Sequence, residues 1–200
     1  MGKRLYNFCC AVIRPVYRLI YPPAAEGLEN IPSEGGFIFC ANHLSARDPF
    51  YLAALVRNRH FHFMAKAELF RRKPLSTFVT ALGGFPVDRG HNDLNAVRTS
   101  LKLISEGHGL ALFPQGTRSK DNRRTPMLSG VSMIALRSGA PVIPAYIGGP
   151  FRPFRRIQVS YGKPVSFEGL GRRVDSETMA AATRRIEDAV WGLAKPQGDD

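Results

Sequence analysis

Apolar residues near the start of the chain recur at helical spacing. Leu5, Phe8, Cys9, Val12, Ile13, Val16 and Ile20 form one stripe, with Lys3, Arg4, Arg14 and Arg18 supplying a basic component. The pattern predicts an amphipathic helix over residues 3–21. With Tyr6, Tyr17 and Tyr21 as interfacial residues, it suits a helix lying in the plane of a membrane surface. It suits equally a helix packed on the core of its own domain. Pro15 falls in the middle, where a ring without an N–H is expected to bend or break the helix. Pro22 and Pro23 end the segment.

Beyond the prolines, strand and helix signals alternate. Continuous apolar runs predict buried strands at Gly36–Ala41, Phe61–Met64, Leu110–Phe113 and Val142–Tyr146, with shorter ones near Phe85–Val87 and at Ile157–Tyr161. Helices are expected at Pro49–Arg57, at Lys66–Leu82 with a break at Pro74, at Asn92–Glu106, at Leu128–Arg137 and at Thr178–Leu193. The third of these carries Leu94, Val97, Leu101 and Ile104 on one side, Asn92 or Asp93 as cap and Gly107 as stop. Alternation of this kind implies an α/β fold: one domain, a largely buried mixed sheet flanked by helices, preceded by the membrane-associating helix. The expected division is residues 1–22 for that helix, 23–195 for the α/β domain and 196–200 for a polar tail.

Composition narrows the picture in three ways. A chain of 200 residues with 44% hydrophobic content can bury a full core as one domain. Twenty-eight Lys and Arg against 16 Asp and Glu leave a net charge of +12, which attracts anionic partners. Lys and Arg are scattered and no aromatic-interleaved basic stripe occurs, so no nucleic-acid partner is expected. Three cysteines, two of them adjacent, make neither a disulfide framework nor a zinc site, and a reducing compartment is expected. The uncharged run Leu5 to Ile13 is far shorter than the roughly 20 residues of a membrane span. Any membrane is therefore expected to be met from its surface.

Chemistry concentrates in four clusters, mostly just after predicted strands, where α/β folds place their sites. The first is Asn42-His43-Leu44-Ser45-Ala46-Arg47-Asp48. An imidazole and a carboxylate five residues apart can meet across a tight turn, making a general base and its orienting partner. Asp48 before Pro49 is also a natural helix cap, and one residue can do both jobs. Ser45 sits in no Gly-x-Ser-x-Gly elbow and reads as a loop residue. The second cluster, Gly83 to Arg89, allows close backbone approach and ends in an arginine suited to a phosphate or to Asp88. The third, Phe113-Pro114-Gln115-Gly116-Thr117-Arg118-Ser119, is a candidate oxyanion or phosphate cradle at a strand end. The fourth, Pro141 to Tyr146, is an apolar strand bracketed by prolines, expected to be mainly structural and a candidate lining for an acyl pocket.

Taken together, the order and spacing of these clusters resemble the lysophosphatidic acid (1-acylglycerol-3-phosphate) acyltransferase family over about residues 25–165. Asn42, His43 and Asp48 match its Asn-His-x4-Asp motif. Gly83, Phe85 and Arg89 look like its second motif, and Phe113, Pro114, Gly116, Thr117, Arg118 and Ser119 match its third. Val142 and Pro144 match the fourth. The departure is Gln115, where the family usually has Glu; the amide keeps an acceptor, adds donors and loses the charge.

The resemblance implies an O-acyltransferase of phospholipid biosynthesis that uses no cofactor or metal. Its acyl donor would be acyl-CoA or acyl-acyl carrier protein, and its acceptor the sn-2 hydroxyl of lysophosphatidic acid. His43 would act as base with Asp48 behind it. Arg89 and Arg118, with Lys66 as a further candidate, would hold the phosphate. Gln115, Gly116 and Thr117 would line the substrate. The implied location is the cytoplasmic face of a membrane, held peripherally or monotopically on an anionic surface. Glycerol-3-phosphate or another lysolipid as acceptor, and a non-catalytic lipid-surface protein, stand as the competing expectations.

Overall fold

In the computed structural model, which describes residues 3–56, 59–88, 93–119, 121–171 and 173–194, α1 runs unbroken from Lys3 to Ile20. Pro15 lies inside it without ending it. Pro15 and Ala11, whose carbonyl loses its helical partner, both face outward, so solvent can take up the freed group. The chain continues through β1 (Pro23–Glu26), a 3-10 turn at Leu28–Asn30, β2 (Phe37–Ala41), α2 (Asp48–Leu55) and β3 (Phe61–Lys66). A second 3-10 turn (Ala67–Phe70), α3 (Lys73–Ala81), β4 (Gly84–Val87), α4 (Leu94–Ser105) and β5 (Gly109–Leu112) follow. Then come α5 (Gly130–Ser138), β6 (Val142–Ile147), β7 (Ile157–Tyr161) and α6 (Ser176–Trp191).

Seven strands form one sheet in the order β1-β7-β6-β2-β5-β3-β4. The block β6-β2-β5-β3-β4 is parallel throughout, β7 runs antiparallel to β6, and β1 is parallel to β7. β1 escapes the apolar-run criterion because it is four residues of Pro, Ala and Glu at an edge, held by pairing with β7 alone. At its end, Gly27 adopts φ 74, and a Cβ there would lie 1.9 Å from the Tyr161 carbonyl oxygen. Only glycine permits that approach.

Successive residues of β2 point to opposite faces. Phe37 and Phe39 join Tyr51, Phe61 and Tyr161 under α1, α2 and α3. Ile38 and Cys40 join Leu110, Leu112 and Val142 under α4, α5 and α6. Asp93 caps α4 through Ala96 N at 2.9 Å, one of the two residues expected for that role. The predicted helix 66–82 is instead a strand end, a 3-10 turn and a nine-residue helix opened by Pro74. Lys66 consequently closes β3 rather than starting a helix.

α1 carries two apolar faces. Tyr6 and Cys10 are buried and Cys9, Ile13 and Tyr17 pack on the core. The Tyr6 hydroxyl accepts from Phe61 N, and Arg14 donates to the Val56 carbonyl. Leu5, Phe8, Val12, Val16 and Leu19 face outward, Phe8 and Leu19 being 66% and 72% exposed. Periodicity alone sees one broad apolar arc where the fold makes two surfaces. Among the described residues no helix is long and apolar enough to cross a membrane. The polar tail expected at 196–200 lies outside the described residues.

Candidate active site

The parallel strands gather the loops after β2, β3, β4, β5 and β6 at one end of the sheet, where the order of strands departs from the order of the chain. β2 lies between β5 and β6, so the residues following these three strands become neighbours.

Asn42, fully buried, extends the sheet by one side chain. Its amide oxygen accepts from Ile147 N at 2.8 Å and its nitrogen donates to the Ile147 carbonyl at 2.9 Å. The amide thus copies a peptide group and pins the end of β2 to β6. A second bond from the same nitrogen, 2.7 Å long, reaches Asn122 Oδ1.

His43 is 6% exposed and Asp48 is 0% exposed. Asp48 Oδ2 lies 2.7 Å from His43 Nδ1, 2.7 Å from Leu44 N and 2.8 Å from Ser45 N. The carboxylate therefore turns back into its own loop, and the expectation that it also caps α2 is not met. Oδ1 has no hydrogen-bond partner among the described residues, so the bonding of this group converges on Oδ2. An acceptor-only carboxylate against Nδ1 requires the proton on that nitrogen, which leaves the Nε2 lone pair to act as base. The ring of Phe113 stacks on the imidazole at 4.4 Å and 28°, fixing its plane.

The third cluster meets the first through the backbone of His43. Gln115 Oε1 accepts from His43 N at 2.6 Å, and Ser119 N donates to the His43 carbonyl at 2.8 Å. Gln115 Nε2 donates to Thr125 Oγ1 at 2.6 Å. Between these ties, Gly116 adopts φ 70 and its N–H closes the turn onto the Phe113 carbonyl at 3.2 Å. A side chain there would press on Leu128, whose own N–H binds the Pro114 carbonyl. Thr117 and Arg118 stand exposed on the same loop, one residue short of its second tie to His43.

The remaining expectations divide. Lys66 ends β3 at the same end of the sheet, and its ammonium pairs with Glu68 at 2.9 Å. Arg89 lies outside the described residues. All of β6 is buried in the sheet, in keeping with the mainly structural role expected of it. A small apolar crevice of about 10 Å³, room for no more than about one water molecule, lies between α1, α2 and the end of α3. Tyr6, Cys10, Ile13, Phe50, Ala54 and Leu82 line it. Among the described residues no three His, Cys, Asp or Glu side chains converge as metal ligands would.

Two residues of the site gave no signal in the sequence. Asn122, at φ 50, binds Asn42, the Tyr146 hydroxyl and the Ile147 carbonyl, and Thr125 receives Gln115. Both lie in a polar loop that pattern alone cannot tell from a solvated connection.

Comparison with known proteins bears on the same residues. A family model described as Acyltransferase matches residues 23–148. A 1-acyl-sn-glycerol-3-phosphate acyltransferase of Bacillus subtilis (strain 168) is 28% identical over 194 residues, covering 94% of this chain and 96% of that protein. One from Streptococcus pneumoniae (strain ATCC BAA-255 / R6) is 24% identical over 166 residues, 80% of this chain and 61% of that protein. The crystal structure of the 1-acyl-sn-glycerophosphate acyltransferase PlsC from Thermotoga maritima superposes with a TM-score of 0.72. That match covers 99% of this chain and 86% of the other, at 24% identity, and supports the fold.

Proposed function

Because the chain belongs to the Acyltransferase family, we propose that it moves a fatty acyl group from a thioester to the sn-2 hydroxyl of 1-acylglycerol-3-phosphate, giving phosphatidic acid. The names carried by its relatives support that acceptor. The observation that carries the chemistry is the buried His43–Asp48 pair, held 2.7 Å apart at the mouth of the loops.

In this reading His43 Nε2 takes the acceptor hydroxyl proton as the oxygen attacks the thioester carbonyl. The C–S bond breaks, an ester C–O bond forms, and the proton passes from the imidazolium to the departing thiolate. Asp48 stabilises that imidazolium. Arg118 binds the acceptor phosphate, with Arg89 and Lys66 as further cations. Thr117, exposed beyond the turn, is the candidate donor to the developing oxyanion; the Gly116 N–H is already used within the turn. The donor is acyl-CoA or acyl-acyl carrier protein, both anionic and drawn to a chain of net charge +12.

The outward face of α1, with Phe8 and Leu19 largely exposed, would hold the protein on the cytoplasmic face of an anionic membrane.

Thioester release measured with labelled lysophosphatidic acid tests the reading. His43→Ala should lower turnover by roughly 10²–10⁴-fold, the usual contribution of a positioned base, in a chain that still folds. Near-normal turnover in that variant would remove His43 from the reaction.

A further inference from the structure

We propose that Gln115 and Thr125 form a positioning relay that fixes the backbone of His43, so that Gln115 serves as a strut within the protein and not as a ligand of the acceptor. The inference rests on the reading of His43 as the base.

A side-chain amide can bind substrate only with groups that are not already committed. Here the Gln115 oxygen accepts from His43 N at 2.6 Å and its nitrogen donates to Thr125 Oγ1 at 2.6 Å. The amide therefore joins the base to a later part of its own loop, the connection between β5 and α5. Its far end is anchored. Arg124, next to Thr125, bonds Glu187 at 2.8 Å and pairs with Asp188, both on α6. Met127 N also donates to Glu187 at 3.3 Å. Three residues before Thr125, Asn122 holds Asn42, the residue preceding His43. Two successive residues of the base's own loop are thus braced by one segment, and that segment is tied to a core helix.

The imidazole has its own constraints, from Asp48 at Nδ1 and Phe113 on its face. Neither sets where the His43 Cα stands relative to the phosphate-binding loop. The Gln115 bond and the Ser119 bond do so, one at the N–H and one at the carbonyl. Removing the first lets the base shift against a bound acceptor without releasing the acceptor. The loss should appear in kcat.

Purified full-length Gln115→Leu, Gln115→Glu and Thr125→Val chains would be assayed for thioester release against lysophosphatidic acid in mixed micelles, with melting temperatures measured alongside. Gln115→Leu should lower kcat by roughly 10- to 100-fold, as ångström-scale misplacement does. Its acceptor KM should stay within about twofold of normal. Gln115→Glu should recover most of that loss, since a carboxylate accepts from His43 N and from the Thr125 hydroxyl. Thr125→Val should lower kcat by about three- to tenfold, and combined with Gln115→Leu it should add nothing further, as members of one relay do.

A raised acceptor KM with normal kcat in Gln115→Leu would overturn the relay and make Gln115 a substrate ligand. If Gln115→Leu fails to fold, Thr125→Val decides, and wild-type kcat there overturns the proposal. His43→Ala separates the two levels. Turnover that survives it removes the base and the relay together, whereas its loss alongside an acceptor-KM effect at Gln115 sinks the relay alone.

Discussion

Asp48→Asn removes a charge and leaves the shape of the side chain. The carboxylate is fully buried, and its Oδ2 accepts from His43 Nδ1, Leu44 N and Ser45 N within 2.7–2.8 Å. An amide oxygen in that place still accepts the two backbone N–H groups, so the loop should stay folded. What disappears is the attraction for the imidazolium formed as His43 takes the hydroxyl proton. At an effective dielectric of about 20, with charge centres about 4 Å apart, that attraction is about 4 kcal/mol. With a tenfold change for every ~1.4 kcal/mol, kcat should fall about 10³-fold. Because the charge acts mainly on the transition state, acceptor KM should move little. Asp48→Ala differs in kind. It also orphans Leu44 N and Ser45 N at about 1–3 kcal/mol each, and should lower the melting temperature as well. Single-turnover thioester release under saturating lysophosphatidic acid reads the first effect, and thermal unfolding by circular dichroism reads the second. An Asp48→Asn chain with native melting and turnover within about tenfold of normal would refute the argument, since about 1.4 kcal/mol is too little for this charge pair.

Three further outcomes are expected. Arg118→Ala should raise the acceptor KM about 10- to 100-fold with kcat retained, from the loss of charged hydrogen bonds worth about 1.5–3 kcal/mol; an unchanged KM in steady-state assays would exclude it from phosphate binding. Phe8→Ser and Leu19→Ser should each weaken binding to anionic liposomes by about tenfold, because burying a largely exposed apolar side chain is worth about 1–2 kcal/mol; flotation with undiminished binding would show that α1 is not the anchor. Burial, then the neighbouring His108, lowers the His62 pKa from 6.5 to about 4. The folded chain thus leaves His62 neutral in a range where the unfolded chain protonates it. Stability should fall as pH falls through that window, and His62→Asn should flatten the dependence. Urea midpoints at several pH values provide the check, and equal slopes in both chains would contradict it.

Much of the fold was legible because a buried parallel strand has to be apolar on both faces. β2, β5 and β6 are short apolar runs and were found within a residue or two. β1 was not, because an edge strand held by pairing has no such run. The His43–Asp48 pair was legible because both partners lie on one tight loop. Its bond to Gln115 was not, since it joins positions 72 residues apart. Asn122 and Thr125 were invisible for the same reason, their roles being set by what the sheet places opposite them. The double role of α1 was half legible: periodicity marks apolar positions but cannot assign Tyr6 to the core and Phe8 to the outside.

By itself the sequence determined the alternation of strands and helices, the local histidine–carboxylate turn and the excess of positive charge. Each of these follows from local periodicity, short-range geometry or simple addition along the chain. The strand order, the bracing of His43 by a loop from another part of the chain, the backward turn of Asp48 and the two surfaces of α1 were decided only in three dimensions. They depend on which segments become neighbours when the sheet closes over its core, and long-range pairing leaves no local pattern from which that can be read.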